Sequence, residues 1–206
     1  MTRPAYMIVS IDVHDSDAFG RYAVQVAPLI QEYGGEVLAA THNYRIEHGA
    51  WPRQRVALIR FPSLAQAEGF YHAPAYQPMK SLRESASEAD LLLAESPQDQ
   101  SPEAPEDGAT PHYLLGATTV TSSDWIEEYM QKVPPISAHF GVQGLAMGSE
   151  YSVLEGAWPR DGLVLLRFPS EAVFQAFWYG DEYRAMKELR EANTVADHIS
   201  FAGVIE

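Results

Sequence analysis

The pentapeptide Gly49-Ala50-Trp51-Pro52-Arg53 returns unchanged as Gly156-Ala157-Trp158-Pro159-Arg160. One ungapped shift of 107 positions lays Ala5–Ser96 on His112–Gly203 and matches about 30 of some 90 residues, which is self-similarity on the scale of a domain. Whatever order of elements one copy adopts, the other is expected to adopt too. Each copy has a size that buries only a marginal core alone, so each is expected to need the other. The expected division is a first domain over 1–96, a linker over 97–111 and a second domain over 112–206.

Within each copy the hydrophobic spacing separates strands from helices. Tyr6–Val13 and Tyr113–Val120 are β-rich and read as central strands. A helix is expected after each, capped by Ser16 or Asp17 and by Ser123 or Asp124. Its inward stripe is Phe19, Tyr22, Val26, Leu29 and Tyr33, or Ile126, Tyr129, Val133, Ile136 and Phe140. Gly34-Gly35 and Gly141 stop these helices, while Pro28, Pro134 and Pro135 are expected to kink or split them. A second strand over Glu36–Glu47 is expected to turn at GAWPR into a third over Arg55–Phe61, as a hairpin; Gln143–Leu154 and Gly162–Phe168 repeat this. Phe61-Pro62-Ser63 and Phe168-Pro169-Ser170 end the third strand and cap a second helix. A short helix and a last strand close each copy.

The resulting order, βαββαβ, is the ferredoxin-like pattern. A four-stranded sheet with helices on one face leaves the other face bare, and the second copy is the economical cover for it. The expected fold is therefore α+β: two ferredoxin-like βαββαβ domains in tandem, pairing within the chain as a dimeric α+β barrel. The segment Ser96–Pro111 holds four prolines and four acidic residues, and it reads as an extended tether long enough to let the halves lie side by side.

Composition narrows the function. Hydrophobic residues at 46% and aromatics at 11% belong to a globular protein. No apolar run reaches the roughly 20 residues of a membrane helix, and Met1–Tyr6 lacks the features of a signal peptide. A soluble cytoplasmic protein is the expectation. With no cysteine there is neither thiolate chemistry nor a thiolate metal site. A net charge of −14 disfavours nucleic acid and anionic membrane as partners.

The pieces Ala27-Pro28-Leu29-Ile30, Tyr33-Gly34-Gly35, Glu47-His48-Gly49 with Trp51-Pro52, Phe61-Pro62-Ser63, and Tyr76 with Lys80, Leu82 and Arg83 occur in that order. The second half supplies Pro134-Pro135-Ile136, Leu154-Glu155-Gly156-Ala157-Trp158-Pro159, Phe168-Pro169-Ser170, and Tyr183 with Lys187, Leu189 and Arg190. In both halves this pattern resembles the domain of unknown function 1330 family, in the dimeric α+β barrel superfamily. The resemblance covers everything but the linker. It implies the fold above, an intrachain version of a homodimer, and kinship with antibiotic biosynthesis monooxygenases, EthD-like proteins, YciI-like proteins and chlorite dismutase. Several of these work without a metal or organic cofactor. The chain departs from the family's Arg-Gly-Gly-like segment, with Thr41-His42-Asn43 in one copy and Gly148-Ser149-Glu150 in the other, and it has His48 where the second half has Glu155. Fusion allows such divergence, because a homodimer must change both sites together.

Alternation along the second strand would put Leu38, Ala40, His42, Tyr44, Ile46 and His48 on one face. The matching face would carry Leu145, Met147, Ser149, Tyr151, Val153 and Glu155. Two histidines and a tyrosine on a mostly apolar face form a candidate acid/base cluster, since imidazole titrates near neutrality. The bland alternative makes His48 a solvated turn residue and His42 a satisfied group at a sheet edge. Arg60 and Arg167 are candidates to hold a carboxylate or enolate, against a structural salt bridge to Glu84, Glu191 or Asp90. Arg83 and Arg190, beside Tyr76 and Tyr183, pose the same choice. Trp51 and Trp158 read as packing residues or pocket lids, and Tyr71-His72 opposite Trp178-Tyr179 as a lining that differs between halves. A metal site from His42, His48 and His72 has no standard spacing.

These readings converge on an enzyme without a cofactor that acts on a small, partly apolar metabolite. The expected chemistry is proton transfer (isomerase, cyclase, dehydratase or lyase) or oxygenation. His42, His48, Tyr44 and Arg60 are the catalytic candidates. Trp51, Tyr71, His72, Tyr76, Arg83, Glu150, Tyr151, Glu155, Arg167, Trp178, Tyr183 and Arg190 are the substrate-binding ones. The alternative is a non-catalytic ligand-binding protein, and whether two chains associate further is left open.

Overall fold

Each copy lends one strand to the sheet of the other. The structure is a computed structural model that describes residues 3–97 and 108–205; most of the expected linker lies outside the described residues. The first copy runs β1 (Ala5–Val13), α1 (Ser16–Glu32), β2 (Glu36–Thr41), β3 (Tyr44–His48), β4 (Arg55–Phe61), α2 (Leu64–His72), α3 (Tyr76–Glu84) and β5 (Ser87–Glu95). The second repeats it as β6 (His112–Val120), α4 (Ile126–His139), β7 (Gln143–Gly148), β8 (Tyr151–Glu155), β9 (Gly162–Phe168), α5 (Glu171–Tyr179), α6 (Asp181–Ala192) and β10 (Thr194–Ala202). The two sheets are ordered β2-β4-β1-β5-β8 and β3-β10-β6-β9-β7, and every pairing within them is antiparallel.

This corrects the expected single second strand and its hairpin. The strand breaks at His42-Asn43, where the Asn43 amide donates to Thr41 Oγ1 at 2.9 Å in a local turn; in the second copy the break is Ser149-Glu150, directly after Gly148, whose φ of 106° suits glycine. Past the break, β3 pairs with β10 and β8 with β5. Without them, β5 and β10 would present unpaired edges. The single polar face expected along 38–48 therefore does not exist, because its two ends belong to different sheets.

Alternation along the strands builds three cores. Tyr6 and Ile8 of β1 face Tyr113 and Leu115 of β6 in a cluster between the two sheets. Met7, Val9 and Ile11 point the other way, toward Val26, Leu29 and Ile30 of α1 and Phe70 of α2. Leu114, Phe168, Phe174, Phe177 and Trp178 form the counterpart in the second copy. The architecture is thus helices, sheet, sheet, helices, as the dimeric barrel expectation requires. Helix caps differ in detail from the sequence reading. Asp15 caps α1, accepting from the Ala18 amide at 2.9 Å, and α4 follows Trp125 at its N-cap, with no side-chain cap bond. Both helices run on through Pro28 and through Pro134-Pro135. No described helix is long and apolar enough to cross a membrane.

The doubled pentapeptide is a brace between halves. Asp197 Oδ1 accepts from the Ala50 amide at 3.0 Å while its Oδ2 accepts from Arg160 Nε at 2.9 Å. Asp90 repeats this with the Ala157 amide at 3.0 Å and Arg53 Nε at 2.8 Å. Each buried aspartate joins the arginine of its own half to the backbone of the other half. Gly49 and Gly156 both take φ of 67°, and a Cβ on Gly156 would stand 2.2 Å from Asp90 Oδ1. Gly156→Ala is expected to cost at least about 1–2 kcal/mol from the left-handed backbone alone. Urea unfolding checks this, and a change within about 0.5 kcal/mol would mean that the brace yields freely.

Candidate functional site

Between α1 and the outer face of the first sheet lies a cavity of about 490 Å³. Val9, Ile11, Phe19, Val26, Ile30, Val37, Ala57 and Ile59 make its wall largely apolar, with Tyr22, Gln31, Glu36, Thr41, Arg55 and Arg83 as its polar members. Ile205 also lines it, brought there because the Ala40 amide donates to Val204 O at 2.8 Å and so adds the end of the second copy to the edge of β2. A mostly apolar concavity with a few polar groups is the usual form of a small-molecule site.

Arg83, at the cavity wall, is held by residues of both copies. Strand β8 carries Glu155 across to the first sheet, where both its carboxylate oxygens accept from Arg83 Nη2, at 2.7 and 2.6 Å. Tyr71 donates to Glu155 Oε1 at 2.8 Å and receives a bond from Lys80 Nζ at 2.7 Å. Arg83 is only 2% exposed, and its Nε has no acceptor among the described residues. Burial works against the Arg83 charge, but Tyr76 and the Glu155 carboxylate outweigh it and keep the guanidinium cationic. Burial likewise pushes the Glu155 carboxyl up, yet Arg83, Tyr71 and Lys80 together leave it below its ordinary value. Tyr22 OH stands 3.5 Å from Tyr76 OH. Burial, reinforced by Tyr76, holds Tyr22 well above the ordinary phenol range, so it stays a protonated donor.

The four expected catalytic residues are not brought together. His42 is exposed in the turn between β2 and β3. Tyr44 packs beside the core between the sheets, and its hydroxyl donates to Arg53 O at 2.6 Å; Tyr151 does the same to Arg160 O at 3.0 Å. Arg60 is bonded to Glu36, rather than to the acidic residues expected of it. His48 sits at the end of β3 in the second sheet. None of the four lines the cavity.

Of the expected binding residues, Tyr71, Tyr76, Arg83 and Glu155 meet in the cluster just described. Trp51 is buried between the sheets, with Trp158 against it at a ring distance of 5.7 Å. His72 packs its ring on Tyr71, and Glu150 is exposed in the turn before β8. Arg167 is buried and bonds Gln143 Oε1 at 2.8 Å. Trp178, Tyr183 and Arg190 occupy the second copy's corresponding region, where Tyr129 OH and Tyr183 OH lie 2.7 Å apart.

Sequence reasoning assigned Tyr22 only to the core stripe of α1. The available signal was a tyrosine at the matching place in both stripes, Tyr22 and Tyr129, since a buried phenol needs a hydrogen-bond partner. The convergence of Glu155 on Arg83 carried no such signal, because it depends on the strand exchange.

The family described as "Domain of unknown function (DUF1330)" matches residues 4–97 and again 111–204. No curated protein matches the chain. Among solved structures, a mutant chlorite dismutase from Candidatus Nitrospira defluvii is similar over 97% of this chain and 92% of its own, with a TM-score of 0.55 at 12% identity. An anthrone oxidase-like protein is similar over 98% and 94%, with 0.51 at 11%. A heme-binding protein from Thermus thermophilus is similar over 98% and 92%, with 0.50 at 10%. At these identities the likeness shows the fold alone.

Proposed function

The chain belongs to the DUF1330 family, whose domain it carries twice, and on that premise we propose that its first half binds a small, largely apolar molecule through a carbonyl, enol or phenol oxygen set against Arg83 and Tyr22. The observation that carries this reading is the guanidinium of Arg83, buried at the wall of an apolar cavity, bonded to Glu155 through Nη2 alone and with Nε lacking an acceptor. A fixed cation and a protonated phenol in a poorly hydrated site stabilise negative charge that develops on a bound oxygen. That favours proton transfer at a carbon next to a carbonyl, or oxygenation of the resulting enolate-like species with dioxygen as the co-substrate and oxidant, as the reaction class. Glu155 neutralises much of the Arg83 charge, so a neutral oxygen-bearing molecule suits the site better than a strong anion.

In this reading the chain's own side chains bind and orient the substrate without a cofactor. A haem does not fit the lining. Among the described residues no histidine, cysteine or methionine borders the cavity, and Tyr22, the one phenol among them there, is held protonated by burial. The apolar character of the remaining wall favours a second reading, a carrier that holds its ligand unchanged.

Calorimetry with keto- or hydroxy-substituted aromatics and the parent hydrocarbons of the same shape tests the assignment. Ala57→Phe, which fills the cavity, is expected to weaken binding of the oxygenated compounds at least tenfold. The double variant Arg83→Met/Glu155→Met removes a buried ion pair as a unit, which is often neutral or stabilising for the fold, and is expected to do the same. If hydrocarbons bind equally well and the double variant binds like wild type, the polar anchor is wrong. Recovery of bound compound unchanged would select the carrier reading.

A further inference from the structure

Around the second copy's counterpart of Glu155, four positions have changed together. Glu155 is answered by His48, Tyr71 by Trp178, Leu91 by His198 and Val9 by Gly116, each across the shift of 107. The last two are coupled. Gly116 and His198 face each other across β6 and β10, as Val9 and Leu91 do across β1 and β5. A Cβ on Gly116 would come 2.3 Å from His198 Cδ2, so the glycine makes room for the imidazole.

The result is a buried group of donors that has lost its carboxylate. Trp178 and His198 are each 1% exposed and Arg190 is 8% exposed. Trp178 Nε1, Arg190 Nε and His198 Nδ1 have no partner among the described residues. Arg190 Nη1 lies 3.5 Å from His198 Nε2. Since the guanidinium can only donate, Nε2 accepts and Nδ1 carries the proton. Burial, with Arg190, His48 and Lys187 nearby, pushes His198 down to about 2, so its ring stays neutral. The three groups are close: His198 is 5.7 Å from Trp178 between ring centres, and the Arg190 guanidinium carbon is 5.0 Å from the Trp178 ring.

Lys187 has also lost its anionic partner. Where Lys80 meets Glu155 at 3.5 Å, Lys187 lies over the Trp178 ring at 4.5 Å. Two carboxylates stand near. Glu191 accepts from Arg190 Nη2 at 3.2 Å and lies 3.7 Å from His48 Nδ1, and Glu47 accepts from Ser200 Oγ at 2.6 Å and from Tyr179. Glu191 meets the same nitrogen of Arg190, Nη2, that Glu155 meets on Arg83, but with one oxygen at 3.2 Å where Glu155 places two at 2.7 and 2.6 Å.

We propose that the second copy binds a small free carboxylate between Arg190, Lys187 and His48, at the place where Glu155 supplies a built-in one in the first copy. Trp178 Nε1 stands at the counterpart of Tyr71, whose hydroxyl donates to Glu155, and it has no acceptor among the described residues; a ligand carboxylate would bring one, and a buried polar group left unmatched is costly. In the first copy both oxygens of Glu155 sit on Arg83 Nη2, a charge-assisted contact that a free carboxylate can reproduce. His48 is the gate on the solvent side, with a side chain 38% exposed. The inference is independent of the ligand in the first copy, since the two places lie in different halves.

Calorimetric titration of the full chain with acetate, at constant ionic strength with chloride as background, is the test. The expected result is saturable binding of one acetate, weakened at least tenfold in His48→Glu, which supplies the carboxylate internally, and in Lys187→Met. His48→Glu is further expected to raise the melting temperature in the absence of acetate, which shows that its loss of binding is not a loss of fold. Absence of saturable binding by wild type, undiminished binding by His48→Glu, or a clear preference for phosphate over acetate would each overturn the proposal.

Discussion

Glu155→Ala is expected to destabilise the folded protein by about 3–5 kcal/mol, the usual cost of removing one partner from a buried ion pair. Arg83 would keep its charge at 2% exposure with no carboxylate to receive it. Tyr71 would lose its acceptor at the same time. Because Glu155 enters on a strand donated by the second copy, the effect should loosen the union of the halves as well as the first core. Urea unfolding gives the number, and a loss below about 1 kcal/mol would show that the pair is no more than a surface contact. The same carboxylate has a pH signature. Its folded value lies below the ordinary 4.5, because the pull of Arg83, Tyr71 and Lys80 exceeds the upward push of burial. A lowered carboxyl value means that this stabilisation is complete above the ordinary value and is lost as acid protonates the group below it. Wild type should therefore lose stability on acidification beyond that point more steeply than Glu155→Gln.

Trp51→Ala is expected to cost a similar amount, about 3–5 kcal/mol, as a large-to-small change in a packed core. Trp51 is 9% exposed, meets Trp158 edge-on at 76°, and donates from Nε1 to Ser10 Oγ at 3.0 Å. Trp158 is less buried and donates to Gly162 O at 3.2 Å, so Trp158→Ala should cost less. Equal losses at the two positions would contradict this asymmetry. A double-mutant cycle would isolate the ring contact itself, with about 0.5–1.5 kcal/mol expected.

Particular residues show where sequence reasoning reached and where it stopped. The N-caps at Ser63 and Ser170 were legible, because a cap is a local bond: Ser63 Oγ accepts from the Gln66 amide at 3.2 Å and Ser170 Oγ from the Val173 amide at 3.3 Å. The inward stripe of α1 was legible for the same kind of reason, a spacing of three and four. His42 and His48 looked like one site because a strand alternates with period two and nothing in 36–48 marks a break strongly. Thr41 makes that break by a side-chain bond of its own, and the two histidines part into a turn and a foreign sheet. The GAWPR segment looked like a hairpin tip because turn residues lie between two strand-like runs. It is a crossing point, and its glycine, its amide and its arginine each answer to a buried aspartate.

The repeat alone determined that two like βαββαβ units exist and that each has a bare sheet face in need of cover, since both follow from periodicity and from the area a small domain can bury. Only the tertiary structure decided which strand pairs with which. Backbone edges are alike in every strand, so the sequence carries no label that sends β8 to β5 rather than to its own β9. That choice brings Glu155 to Arg83 in one half and His48 to Glu191 and His198 in the other, and so gives two copies of one domain two different side-chain clusters.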